Sequence, residues 1–288
     1  GGVVVNLGAQ TASGGAGNDT LVSIEGALGS GHADTLIGGN AADTLLGGHG
    51  NDRIFGGAGA DSILGGGGAA TLDGGDGDDT LSDIFDDRFG RSSFSSFASY
   101  ASATSGVVVN LGAQSASGAA GNDVLLGIAN VIGSDHADTL ISSGFGTLLG
   151  GSGDDSIVGG GGVDSLMGGA GADTLNGGYG DDRIDGGDGI DIASYAGTRS
   201  GVVVNLGAQT ASAEGINPNP DRIASVPRVT DTLMSIEVAL GSDHADTLIG
   251  GTAADTLLGG SGDDSLVGGL GADSLVGGAG TDIASYAG

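Results

Sequence analysis

The chain has 288 residues and contains no cysteine, no tryptophan and no lysine. Without cysteine there is neither a disulfide framework nor a thiol nucleophile. Without lysine there is no Walker-type phosphate loop, and no His is followed by Glu as an HExxH zinc motif requires. A GxSxG nucleophile elbow is also missing. Aromatics amount to six Phe and four Tyr, few for a sugar cleft built around a carboxyl pair. No run of 18 apolar residues occurs, so no membrane span is expected. Seven basic residues, all arginine, face 36 acidic ones, for a net charge of −29. So anionic a surface makes nucleic acid and anionic membrane poor partners and cations good ones. Together these absences predict no catalytic activity. The chain starts at Gly1 with no Met or signal-like stretch and stops inside its own pattern, as a segment of a longer protein would.

What is abundant is glycine, 66 residues of it, without the period of three that a collagen-like chain would show. The glycines fall in a nine-residue frame, G-G-x-G-x-D-x-U-x, where U is a large aliphatic residue. Residues 150–194 read GGSGDDSIV, GGGGVDSLM, GGAGADTLN, GGYGDDRID, GGDGIDIAS, and the frame also runs through 38–82 and 250–285. Glycine at positions 1, 2 and 4 permits φ > 0 and hence a tight turn. The following x-U-x is a short strand that points U to one side. Leu45, Ile54, Ile63, Leu72 and Leu81 hold U in the first block, and Ile157, Leu166, Leu175 and Ile184 in the second. Two nonamers make one coil of about 18 residues with two facing strands, and stacked coils bury two ladders of U residues that one coil alone could not.

The aspartate at position 6 closes each turn. Alternate turns stack along one edge, so the Asp of turn i lies about 5 Å, one strand spacing, from that of turn i+2. Two carboxylates so close repel, and a cation between them removes the conflict. Calcium accepts carboxylates and backbone carbonyls together, and glycine-rich turns leave carbonyls open.

The nonamer resembles that of the RTX (repeats-in-toxin, haemolysin-type calcium-binding) family, which includes the serralysin-like proteases. The resemblance covers most of the chain. It implies an all-β fold, a right-handed parallel β-roll or β-helix solenoid with multiple Ca2+ ions in the Gly/Asp-rich turns. Each ion would take carbonyls and one Asp from each of two stacked turns. The metal ligands it implies are Asp34, Asp43, Asp52, Asp61, Asp79, Asp138, Asp155, Asp164, Asp173, Asp182, Asp191, Asp246, Asp255, Asp264, Asp273 and Asp282. Of these, interior Asp173 should serve two sites and Asp43 at most one, because Ala41 replaces a turn glycine beside it. Ala70 stands where an Asp is expected and leaves a gap on the edge that carries Asp52, so Ala70→Asp should strengthen binding there.

A longer period encloses the short one. GVVVNLGAQ recurs at Gly2, Gly106 and Gly201, at spacings of 104 and 95 residues. Three modules follow: 1–105 with nonamers 29–82 and an insert 83–96; 106–200 with nonamers 133–194; and 201–288 with an insert 213–230 and nonamers 241–285. One continuous solenoid is expected, with the GVVVN segments as calcium-free coils. The first insert carries Phe85, Phe89, Phe94, Arg88 and Arg91, and the second all three prolines, so either could bind a partner. His32, His136 and His244 replace the position-4 glycine in each opening turn. They lie a module apart without companions for a zinc site, so side-chain hydrogen bonding in the turn is the simpler expectation.

The composite expectation is a calcium-binding structural segment of a large secreted bacterial surface protein, of surface-layer, sheath, filament or adhesin type. Calcium would drive its folding outside the cell, after the type I secretion typical of the resembled family. Further partners would be other copies of itself or a cell-surface glycan. The alternative is the secretion and folding module of an RTX enzyme or toxin whose catalytic domain lies elsewhere. An ice-binding face would need a threonine row at position 3, where only Thr252 stands.

Overall fold

The computed structural model describes residues 1–15, 17–83, 95–213 and 229–286. Most of both inserts, and any binding role for them, therefore lies outside the described residues. Among those residues there are strands and no helix, and the fold is a parallel β-solenoid. The chain divides into two compact units, 1–143 with 147–151, and 144–146 with 152–288.

Within each unit, successive nonamers place their strands alternately on two faces. In the first unit one inward ladder runs Val5, Leu36, Ile54, Leu72, Ala98, Val131, Leu148. The facing ladder runs Ala27, Leu45, Ile63, Leu81, Leu125. In the second unit Leu166, Ile184 and Leu233 form one ladder, and Ile157, Leu175, Ala193, Ala239, Leu257 and Leu275 another. All nine U residues named from the sequence are buried to 1% exposure or less. Each such Leu or Ile contributes about 1.5–3 kcal/mol by leaving water.

Many strands run past x-U-x into the next glycines, as in Thr44–His49 and Arg183–Gly189. Apart from Gly39 and Gly251, position-2 and position-4 glycines take positive φ, for example Gly169 at 119° and Gly171 at 140°. Position-1 glycines do not, which departs from the expectation that all three serve the same end.

The GVVVN segments continue the solenoid, as expected, but each does so as the first strand of a three-stranded meander rather than as a simple coil. Val107–Asn110 pairs antiparallel with Ser115–Gly118, which pairs antiparallel with Gly121–Leu126. The two outer strands then continue the parallel ladder, Val109 beside Leu140 and Leu125 beside Leu81. The reason is the turn chemistry of NLGAQ. Asn110 Oδ1 accepts the Ala113 N–H at 2.9 Å, and Gln114 adopts φ 56°, which reverses the chain within five residues. Asn6 with Gln10 and Asn205 with Gln209 repeat the device.

Candidate metal centre

The sixteen aspartates selected from the sequence lie on the turn edges of the two units. Asp34, Asp43, Asp52, Asp61, Asp79, Asp138, Asp155, Asp164, Asp173, Asp182, Asp191, Asp246, Asp255 and Asp264 are buried, and Asp273 and Asp282 are half-buried. Alternate turns stack as the 18-residue coil requires. The backbone N–H of Asp155 donates to Asp173 Oδ1 at 2.8 Å, and that of Asp173 to Asp191 Oδ1 at 2.9 Å. The same bond links Asp34 to Asp52, Asp43 to Asp61, Asp61 to Asp79, Asp164 to Asp182, Asp246 to Asp264, Asp255 to Asp273 and Asp264 to Asp282.

In each aspartate that accepts such a bond one carboxylate oxygen is thus used, and the other is the informative one. Buried Oδ2 atoms of Asp52, Asp61, Asp79, Asp164, Asp173, Asp182, Asp191 and Asp264 have no hydrogen-bond partner. Position-1 glycine explains where they face. A Cβ on Gly47 would fall on Asp52 Oδ2 and on the Gly65 carbonyl of the next coil. Gly56 stands likewise to Asp61 and Gly74, Gly168 to Asp173 and Gly186, and Gly259 to Asp264 and Gly277. Glycine is required at position 1 because a carboxylate oxygen and a carbonyl oxygen converge there, not because of φ. Acceptors without a donor, deprived of water, call for a cation. Carboxylate and carbonyl oxygens are the hard donors that calcium takes. Among the described residues no three His, Cys, Asp or Glu side chains converge on one point, so carbonyls would have to complete any ligand set.

The electrostatics agree. Burial, opposed only in part by the backbone hydrogen bonds, raises the carboxyls of Asp52, Asp61, Asp173, Asp182, Asp191 and Asp264. It pushes Asp79 to about 6. Asp164 rises to about 7, through burial and then the Asp182 charge.

The rows have distinct beginnings. Ser30, Ser134 and Ser242 each donate both backbone N–H and Oγ to the first aspartate of an edge, Asp34, Asp138 or Asp246. Gly39 and Gly251 N–H groups donate to Asp43 and Asp255 Oδ2, both at 2.6 Å. These opening residues lack the positive φ of later position-2 glycines, so their amides face the carboxylate. The three His side chains beside them are exposed. The turn bonds belong to the serine Oγ atoms, which accept the His32, His136 and His244 N–H, so the expected histidine side-chain role is replaced by serine.

Several row members escaped the sequence reading. Asp123 Oδ1 accepts the Asp79 N–H at 3.0 Å, and Asp231 Oδ1 the Asp182 N–H at 3.1 Å. The signal was a D-x-U-x phrase, DVLL and DTLM, without the glycines before it. Glu237 Oε2 accepts the Asp191 N–H at 3.0 Å and so takes an aspartate's place. Position-5 acids form an outer row: Asp78, Asp154, Asp181 and Asp263 accept N–H bonds from Asn122, Ala172, Thr230 and Thr281. The gap at Ala70 is filled. Ser96 Oγ accepts the Ala70 N–H and donates to fully buried Asp83, whose Oδ1 comes beside the Gly65 position.

A search of curated proteins gave no match to the chain. The family model described as the RTX calcium-binding nonapeptide repeat (4 copies) matches residues 5–23, 28–63, 64–82, 132–165, 140–174, 158–193, 240–275 and 249–284, more than half of the chain. The stacked aspartate rows and this match agree, and the chain belongs to the RTX calcium-binding nonapeptide repeat family.

Proposed function

We propose that this chain is a calcium-loaded structural rib of a large protein that works outside the bacterial cell, folded and stiffened by the ions it takes up there. The observation that carries the reading is the row of buried, unpartnered Oδ2 atoms facing position-1 glycine carbonyls. The interior aspartates would hold the ions through Oδ2, and the glycine carbonyls of the adjoining coil would share them. Calcium supplies the charge that lets neighbouring carboxylates stay ionised while buried.

Two costs explain why the ion would be needed for folding. The chain carries −29, and 66 glycines lose much backbone freedom when ordered. Binding free energy at sites absent from the unfolded chain becomes folding free energy. Extracellular calcium modules work with dissociation constants of about 10⁻⁴–10⁻³ M, which matches millimolar calcium outside cells. Three copies of one module, each carrying ion-binding turns and no motif for chemistry, support a surface-layer, sheath or adhesin-like role over an enzymatic one.

Circular dichroism tests the central step. In EDTA at neutral pH the chain should be largely coil, and millimolar calcium should restore the β signal, with magnesium far less effective. Undiminished β structure in EDTA would refute calcium-driven folding.

A further inference from the structure

Two of the rows end on a tyrosine. Tyr100 Oη donates to Asp123 Oδ2 at 2.9 Å, and Tyr195 Oη donates to Asp231 Oδ2 at 2.9 Å. Tyr100 is 3% exposed, Tyr195 5%, Asp123 3% and Asp231 5%, so both bonds are sealed from water. Asp123 and Asp231 are otherwise ordinary row members, since each Oδ1 receives the N–H of the preceding aspartate, Asp79 or Asp182. The first difference lies at Oδ2. At Asp79 and Asp182 that oxygen has no partner, and one step further along the row it has a phenol.

The backbone around Asp123 differs as well. Five residues before Asp52, Asp61 and Asp173 stand Gly47, Gly56 and Gly168, whose Cβ positions coincide with Oδ2. Five residues before Asp123 stands Gly118, part of the antiparallel hairpin, and it meets Gly106 and Val107 instead. The glycine-turn carbonyl of the next coil that stands beside Oδ2 at Asp52, Asp61 and Asp173 is not among the atoms nearest Gly118. Both tyrosines come from the same exit phrase, ASYA at 98–101 and 193–196, and both aspartates from the third strand of the following meander.

We propose that Tyr100 and Tyr195 are built-in stops for these two ion rows: each hydroxyl satisfies the last carboxylate in place of a cation, so Asp123 and Asp231 take up no metal. The module header then does more than link repeats. It delivers the aspartate that completes the bond ladder, and the preceding exit phrase delivers the phenol that closes it. Each of these two rows acquires a fixed length from its own sequence.

The inference rests on calcium occupying the interior of the rows, and calorimetric calcium titration of the full chain separates the two ideas. Asp79→Asn should lower the number of ions bound, and a count unchanged in that variant would overturn the interior reading itself. Asp123→Asn should leave the count equal to that of the parent, because the amide still accepts the Asp79 N–H. A loss in Asp123→Asn matching that of Asp79→Asn would overturn the stop. Tyr100→Phe gives an independent reading by thermal melting. It should lower the midpoint at saturating calcium, whereas an unchanged midpoint would show that the phenol satisfies nothing.

Discussion

Asp43 and Asp173 hold the same position of the same nonamer and live in opposite conditions. Asp43 opens a row. Its Oδ2 accepts the Gly39 N–H of its own turn at 2.6 Å, so the turn is complete without an ion. Asp173 lies inside a row between Asp155 and Asp191, its Oδ2 has no partner, and burial raises its carboxyl. The switch is one peptide: position 2 has positive φ at Gly169 and not at Gly39. What distinguishes a closed turn from an ion-seeking one is therefore backbone conformation, not residue type.

The largest effect should come from removing the two carboxylates in turn. Asp173→Ala should lose calcium that Asp43→Ala keeps. Each ion lost is worth about 2.7 kcal/mol at calcium a hundredfold above the dissociation constant. Asp43→Ala should cost only what an orphaned buried N–H costs, about 1–3 kcal/mol. Equal losses in a calorimetric ion count would break the distinction.

The next test moves to the backbone. Gly169→Ala forces a side chain into a conformation at φ 119°, which costs on the order of 1–3 kcal/mol. Gly39→Ala meets nothing closer than Asp43 Oδ2 at 3.6 Å, an ordinary contact, and should melt within about 0.5 kcal/mol of the parent. Denaturant midpoints at fixed calcium would decide it, and equal midpoints would show that the peptide orientation is not the switch.

How much of this was legible in the sequence follows from the same distinction. Nonamer phase predicted the U ladders and the 18-residue stacking because both depend only on period. It could not show that Gly47 and Gly48 have different tasks, since sequence does not display where Asp52 Oδ2 points. Nor did it reveal Asp123, Asp231 or Glu237, because these reach the rows from segments without the glycine frame. The GVVVN meander was missed for a related reason: Asn110 and Gln114 reverse the chain by local bonds that an alternating valine pattern does not advertise.

Acidity should tune the stability of the calcium-free chain through its buried row aspartates. Asp79 and Asp231 are raised to about 6 and Asp164 to about 7, first by burial. The unfolded carboxyl titrates near 3.9. Over the interval between, the folded state holds protons that the unfolded state has released, so stability falls as pH rises. The contribution is full below about pH 4 and is lost as pH rises through 6 to 7. In EDTA, the β signal should therefore be stronger at pH 5 than at pH 8. Protons and calcium then compete, so apparent calcium affinity should weaken between pH 7 and pH 5. A calcium-free signal independent of pH over that range would mean the buried carboxyls are not strained.

The smallest effect concerns the place where a row is interrupted. By frame alone, Ala70 is a lost ligand, and Ala70→Asp should restore one. The structure reverses that expectation. Asp83 is fully buried, its Oδ2 accepts the Ser95 and Ser96 N–H groups at 3.1 and 3.2 Å, and its Oδ1 accepts Ser96 Oγ at 2.6 Å. A Cβ on Gly65 would lie 3.2 Å from Ala70 Cβ and 3.4 Å from Asp83 Oδ1. A carboxylate borrowed from the start of the insert thus already stands beside the position-1 glycine. Ala70→Asp would set a second carboxylate against it without new donors, at a cost on the order of 1 kcal/mol. The ion count should stay the same and the melting midpoint should drop slightly. Adding Asp83→Asn should recover part of the loss, because the like charge is then gone. An extra ion in Ala70→Asp alone would show that the row was broken at Ala70 after all, and that Asp83 does not stand in for the missing aspartate.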